Sequence, residues 1–176
     1  GGSTAIHHAI NTKDRNIKYI VIDAPAFGHR TSKMYQLLGA PVLGKGVSLL
    51  GRYTIAGEMM EHGMRFTFAN QSEERLQELM NERKQIWLQP KVLHAIGSET
   101  SYLQKDLELI SDVYKNIESD ITIVTGSDYL TTFREESEMF HKKVPSSELI
   151  ILENTAHYIQ FDREKEILEL IRTKVE

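Results

Sequence analysis

One histidine and two aspartates follow short apolar runs in this sequence, where general-base chemistry could be assembled. His157 comes shortly after the run 149–152, and Asp128 comes shortly after the run 121–125. Asp23 closes a third run of the same kind. An imidazole titrates near neutral pH, and a carboxylate bound to the ring can hold the tautomer that a general base requires. This order of strand, acid, strand and histidine therefore predicts an acid that orients His157 as a base.

The elements around these residues predict an α/β fold. Three runs rich in β-branched residues have the length of buried strands, at 19–23, 121–125 and 148–152. Residue types and apolar spacing predict helices over 1–11, 132–142 and 164–174. Alternating strands and helices imply a parallel sheet with right-handed crossovers, and catalytic loops collect at the carboxyl ends of such strands.

The residues around Asp128 and around His157 resemble those of a known family. Ile-Val-Thr-Gly-Ser-Asp, ending at Asp128, and Leu-Glu-Asn-Thr-Ala-His-Tyr-Ile-Gln-Phe-Asp, around His157, resemble the C-terminal part of an α/β-hydrolase. The segment Gly-Gly-Ser-Thr-Ala-Ile-His-His-Ala, residues 1–9, resembles the helix after the nucleophile elbow, whose pattern is Gly-x-Ser-x-Gly-Gly-x-x-Ala-x-x-x-Ala. On this alignment Gly1 is the last elbow glycine, and the nucleophilic serine is expected two residues before it.

The resemblance implies a serine-type hydrolase that acts on ester or related acyl bonds and needs no cofactor. His157 would be the general base, and Asp128 is favoured as its acid because its strand directly precedes the strand before His157. Asp23 is the alternative acid, since some family members carry this carboxylate after the sixth strand. Gly126 precedes Asp128 by two residues, whereas the family usually has three. Ser3 in a variant elbow is a further possibility for the nucleophile.

The long segment between the first and second strands differs in composition from its flanks. Glycines and methionines recur there, Ser72 followed by acids predicts a helix start, and a second helix is predicted over 101–117. We therefore predict a helical cap or lid over 31–118, inserted into a partial hydrolase core formed by 1–30 and 119–176. Met59, Met60 and Trp87 are predicted to bind substrate in this cap, with packing between cap helices as the alternative.

Composition limits the kinds of molecule that this chain is expected to bind. The 176 residues carry a net charge of −4 without a basic stripe for nucleic acid, and no run approaches the roughly 18 apolar residues of a membrane span. The absence of cysteine excludes disulfides and cysteine chemistry, and no His-Glu-x-x-His pattern indicates a metal. The sequence does not determine the cellular compartment of the protein, and we favour the cytoplasm.

Two interpretations of the whole chain are compatible with these patterns. In the first, the chain binds a small-molecule substrate and is completed by a missing N-terminal portion that carries the nucleophile, so that residues 1–176 alone are inactive. In the second, the chain is a non-catalytic fragment, or a binding or assembly module with a hydrolase-derived fold, whose exposed sheet edge pairs with a second chain.

Overall fold

The computed structural model of the protein describes residues 1–29, 31–127 and 133–175. Its chain divides into two compact units: a first unit, Gly1–Phe27 with Leu109–Glu176, and a second unit, Gly28–Glu108. The sequence predicts the later boundary at 118/119 instead. The boundary lies earlier because Tyr114 and Ile117 are buried in the core of the first unit.

Helices account for most of the regular structure. In the first unit they are α1 (Gly2–Asn11), α7 (Phe133–Lys143), α8 (Ile159–Asp162) and α9 (Glu164–Val175). In the second unit they are α2 (Lys33–Leu38), α3 (Leu43–Gly51), α4 (Ala56–Thr67), α5 (Glu73–Trp87) and most of α6 (Pro90–Ile110). A 3₁₀ helix, Ser111–Asn116, follows α6. The helix predicted over 101–117 is thus the end of a longer helix that begins at Pro90, a favoured first residue.

Three parallel strands form the sheet of the first unit: β1 (Lys18–Ile22), β2 (Asp120–Gly126) and β3 (Glu148–Leu152), in the order β1-β2-β3. All three predicted strands are confirmed. The central strand β2 is buried from residue 121 to residue 126. The sequence predicts that β3 is equally buried, but residues 149–152 are only partly covered because β3 has a single neighbour in the described sheet.

Side-chain alternation divides the first unit into two apolar layers, one on each face of the sheet. One layer joins the helix residues Ile6 and Phe140 to β1 and β2 through Val21 and Ile123. The other layer gathers Val124, Ile159, Ile167, Ile20 and Ile22. Each fully buried large side chain contributes about 1.5–3 kcal/mol of transfer free energy. Because successive strand residues point to opposite faces of the sheet, the period-2 pattern determines which side chains are available to pack against the helices on each face.

The second unit contains only helices among its described residues. The predicted helix start is confirmed, since the Ser72 hydroxyl accepts a hydrogen bond from the Arg75 backbone N–H at the beginning of α5. The backbones of α2 and α6 meet at Gly39 and Gly97, where a Cβ on either residue would overlap the other. Within the described ranges of the chain, none of the helices has the length and apolar character needed to cross a membrane.

Candidate active site

The acid and the histidine that meet in the first unit are Asp23 and His157. The Nδ1 atom of His157 lies 2.7 Å from the Oδ2 atom of Asp23. The Asp23 side chain is 1% exposed and that of His157 is 25% exposed, so one is buried and the other reaches the surface. Because a carboxylate only accepts hydrogen bonds, the Nδ1–H of His157 donates, which leaves Nε2 as the basic nitrogen of the neutral ring.

The position of Asp23 is determined by the end of β1 and by its neighbour β2. Its backbone N–H donates to the Val124 carbonyl at 2.8 Å, which extends the parallel pairing by one residue. Asp23 then adopts a left-handed conformation with φ 41°, which aspartate tolerates better than most residues. The Thr125 hydroxyl donates to Oδ1 at 2.7 Å. Both carboxylate oxygens therefore have a donor, and the one that faces His157 is held in place.

The loop that carries His157 crosses over the end of β2. A Cβ on Gly126 would overlap the Thr155 carbonyl oxygen, so the loop approaches to a distance that only glycine allows. Asn154 turns the chain with φ 52°. Arg163 then holds the loop, because its guanidinium donates to the Glu153 carbonyl at 2.8 Å and to the Thr155 hydroxyl at 3.0 Å.

The residues after Asp23 are also fixed by buried polar groups. The Glu136 carboxylate accepts hydrogen bonds from the backbone N–H groups of Ala26 at 2.8 Å and Phe27 at 3.0 Å. The Tyr114 hydroxyl donates to the Ala26 carbonyl. Burial, and to a lesser extent the charge of Glu136, raises the pKa of Tyr114 far above its ordinary value of 10.0. Tyr114 therefore stays protonated and remains a donor.

The first turn of α1 packs beside the same loop. A Cβ on Gly2 would overlap the Cβ of Ala24, the residue directly after Asp23. The Ser3 hydroxyl donates to the Pro25 carbonyl at 2.8 Å. Ser3 therefore lies in a helix and binds the Asp23 loop, an arrangement different from the strained strand-to-helix turn that an elbow nucleophile requires.

The structure describes some of the predicted site residues but not all of them. Asp128 lies outside the described residues, and its role as the acid stays a prediction. Asp23, the alternative, is the described carboxylate that binds His157. Met59, Met60 and Trp87 all line one apolar cavity of the second unit.

Sequence reasoning missed Thr125 and Glu136. Thr125, like Thr122, is a buried polar residue in a mostly apolar strand, and a buried polar residue in such a strand indicates a side chain with a polar partner. Glu136 gives no such signal, since acids in the first turn of a helix are common at the surface. Within residues 1–29, 31–127 and 133–175, no three or more His, Asp or Glu side chains are grouped so as to hold a metal ion.

Comparison with known proteins identifies the fold. No family model matches the sequence, and no curated protein matches it. Among solved structures, the chain is similar to the enol-lactonase from Burkholderia xenovorans LB400, with 12% identity and a TM-score of 0.70. It is also similar to a thermophilic esterase from Thermogutta terrifontis, with 16% identity and a TM-score of 0.68. An alpha/beta hydrolase from a Medee basin deep-sea metagenome library has 20% identity and a TM-score of 0.65.

These similarities cover 99% of this chain in each case, and they show that it has an α/β-hydrolase fold. The chain spans 62% of the lactonase, 61% of the esterase and 62% of the metagenome hydrolase. The three parallel strands and their flanking helices therefore correspond to less than two thirds of each of these neighbours. At such low identity the likeness concerns the fold, and activity has to be argued from the site.

Proposed function

We propose that this chain supplies the general base and its orienting acid to a serine-type α/β-hydrolase that cleaves ester or related acyl bonds. The observation that carries the proposal is the 2.7 Å hydrogen bond between His157 Nδ1 and Asp23 Oδ2. A buried carboxylate on Nδ1 fixes the imidazole tautomer whose Nε2 accepts a proton, and it stabilises the imidazolium that forms. Asp23 is thus the orienting acid of the proposal, in place of Asp128.

The mechanism follows from this assignment. A serine hydroxyl attacks the acyl carbon while its proton passes to Nε2 of His157. The tetrahedral intermediate then collapses, and Nε2 returns the proton to the leaving alcohol. Water attacks the acyl-enzyme by the same route, with His157 again as base, and releases the acid and the free serine.

The serine of this proposal lies outside residues 1–176, two residues before Gly1. Its support is the close contact of Gly2 with Ala24, which holds the start of α1 next to the loop of Asp23. A serine on the turn before this helix would be close to the acid and its histidine partner. The oxyanion hole would use the backbone N–H of the residue just before Gly1 and one from an earlier loop.

Three measurements test the proposal. The coding sequence upstream of residue 1 should encode Gly-x-Ser-x, and the full-length protein should gain one fluorophosphonate adduct on that serine. Labelling should become much slower in His157→Ala. In the 176-residue chain, nitrogen-15 NMR should show His157 as the Nδ1–H tautomer at neutral pH. An upstream sequence without this serine would remove the serine-hydrolase proposal.

The edge strand β1 supports a second candidate function, that of an assembly module. Among the described residues β1 pairs only with β2, so its outer edge presents backbone groups to a further strand. A second copy of the chain, or a separate N-terminal portion, could pair along this edge. Sedimentation of the 176-residue chain should then show a concentration-dependent dimer, whereas a monomer at all concentrations would argue against self-pairing.

A further inference from the structure

The second unit contains a cavity of about 440 Å³ that is separate from the polar network around Asp23. All its lining residues lie between positions 34 and 96, and they include Met34, Leu38, Met59, Met60, Trp87 and Ile96. This volume falls in the range of small-molecule sites, roughly 300–1,000 Å³, and greatly exceeds the voids left by ordinary packing. The cavity therefore has the size of a binding site.

Contacts outside the cavity hold its walls in position. The Ser98 hydroxyl donates to the Gly39 carbonyl at 3.2 Å, and this bond joins α6 to the end of α2. The Arg65 guanidinium forms two hydrogen bonds with the Glu73 carboxylate, at 2.8 and 2.9 Å, which connect α4 to α5. The Arg83 guanidinium lies 5.9 Å from the centre of the Trp87 ring. These contacts hold the walls in position, which lowers the cost of binding.

The lining determines what kind of molecule can bind. No Asp, Glu, Lys, Arg or His occurs among the lining residues of the described unit. A charged group in contact with this lining would lose hydration without gaining a partner, so the lining favours an uncharged ligand. Methionine side chains adapt to irregular apolar shapes, so Met34, Met59 and Met60 favour a flexible aliphatic ligand. At about 30 Å³ per water-sized group, the space holds roughly 10 to 15 carbon atoms.

We propose that the second unit binds an uncharged, medium-chain aliphatic molecule, such as an alkanol of about eight to ten carbons, in this cavity. The proposal goes beyond hydrolysis, because binding needs neither Asp23 nor His157.

Trp87 makes the proposal directly measurable, since it is the single tryptophan of the chain and lines the cavity. Titration of the 176-residue chain with 1-octanol should change the Trp87 emission saturably, with one site per chain. Octanoate and octylammonium have the same tail but a charged end, and each should bind at least about tenfold more weakly. Equal affinity for the charged and uncharged ligands would overturn the proposal.

A pair of glycine substitutions in α4 provides a matched control. Gly63 lines the cavity and Gly57 does not, while a Cβ on either would meet no atom within 4 Å. Gly63→Leu should occupy part of the space and weaken octanol binding at least about tenfold, with an unchanged or higher melting temperature because leucine favours helix. Gly57→Leu should bind octanol normally. Equal effects of the two substitutions would contradict the cavity site.

Two further measurements separate this proposal from its alternatives. Met59→Gln provides a second test, since its amide should weaken octanol binding while preserving the helical circular dichroism. The Asp23→Asn variant should bind octanol with unchanged affinity. Failure of the proposed hydrolase function would therefore not contradict the proposed binding of an aliphatic ligand. If the Trp87 emission instead shifts with protein concentration and octanol has no effect, a second copy of the chain fills the cavity and the ligand proposal fails.

Discussion

The Asp23–His157 pair of the first unit and the apolar cavity of the second unit are held in shape by different interactions. Around Asp23 almost every constraint is a directed hydrogen bond: the Thr125 hydroxyl and the His157 Nδ1–H donate to its carboxylate, and its own backbone N–H donates to the Val124 carbonyl. Around the cavity the walls are side chains without charge, and the hydrogen bonds that hold them lie outside the cavity, between the helices. Directed bonds specify one geometry for proton transfer, whereas apolar walls admit many ligands of similar size.

This difference predicts how each region responds to substitution. Changing one atom of the polar pair should alter turnover greatly while leaving binding almost unchanged. Changing one side chain of the cavity should alter the preference among ligands modestly.

The largest effect is expected for the orienting acid. If the full-length protein is the proposed hydrolase, Asp23→Asn should lower its kcat about 1,000- to 10,000-fold, because the amide no longer favours the Nδ1–H tautomer of His157. KM should change little. Turnover of a 4-nitrophenyl ester measures both constants, and Asp128→Asn serves as the matched variant with a mild expected effect. A larger loss for Asp128→Asn would identify Asp128 as the acid.

The buried carboxylate behind the site should affect stability. Glu136→Ala leaves the N–H groups of Ala26 and Phe27 without their acceptor, and we expect a loss of about 2–4 kcal/mol in the free energy of unfolding. Glu138→Ala, on the same helix and 38% exposed, should cost less than about 0.5 kcal/mol. Urea unfolding of the 176-residue chain compares them, and equal losses would show that the Glu136 bonds contribute little.

The cavity should influence ligand preference in the full-length enzyme. If Trp87 and Met60 contact the acyl chain, Trp87→Ala and Met60→Ala should change the ratio of kcat/KM for octanoyl and acetyl esters about tenfold. Ile86→Ala is the control, since Ile86 is adjacent in sequence, exposed and outside the cavity lining. Equal losses for both esters, in step with a lower melting temperature, would show that these residues only pack the helices.

A surface ion pair should have the smallest effect. Lys174 Nζ lies 2.8 Å from Glu148 Oε2, which lowers the pKa of Glu148 below 4.5 and raises that of Lys174 above 10.5. The stabilisation is therefore present between about pH 4.5 and 10.5. It is lost as pH falls through the folded pKa of Glu148 or rises through that of Lys174.

Both side chains are partly exposed, so Lys174→Met should cost no more than about 0.5 kcal/mol at pH 7. The cost should be smaller at pH 3 and in 1 M salt. Urea unfolding at the two pH values provides the measurement. An equal loss at pH 3 and pH 7 would assign the effect to packing of the lysine stem.

Much of the fold follows from local patterns in the sequence. The period-2 apolar runs and the 3.6-residue spacing of the helices depend on neighbouring residues, so the three strands and the helices α1, α7 and α9 are predicted from them, whereas α2, α3 and α4 of the second unit are not. His157 can also be predicted as a candidate, because a histidine in a loop between a strand and a helix lies at the functional edge of a parallel sheet.

The choice between the two acids depends on distant residues. Adjacency of β2 and β3 favours Asp128, whereas Asp23 lies at the end of β1, two strands away from the His157 loop. The structure joins Asp23 to His157 because Gly126 has no side chain, so that the loop at Thr155 passes over the end of β2. This approach depends on the packing of three segments far apart in the chain.

Local sequence therefore determined the strands, the helices and the candidate histidine. Tertiary structure brought Asp23 to His157, and it gathered Met59, Met60 and Trp87 on one cavity. The physical reason is that backbone propensity and apolar periodicity act over a few residues. Hydrogen-bond partners and cavities, in contrast, arise only when segments separated by as many as 134 positions come into contact.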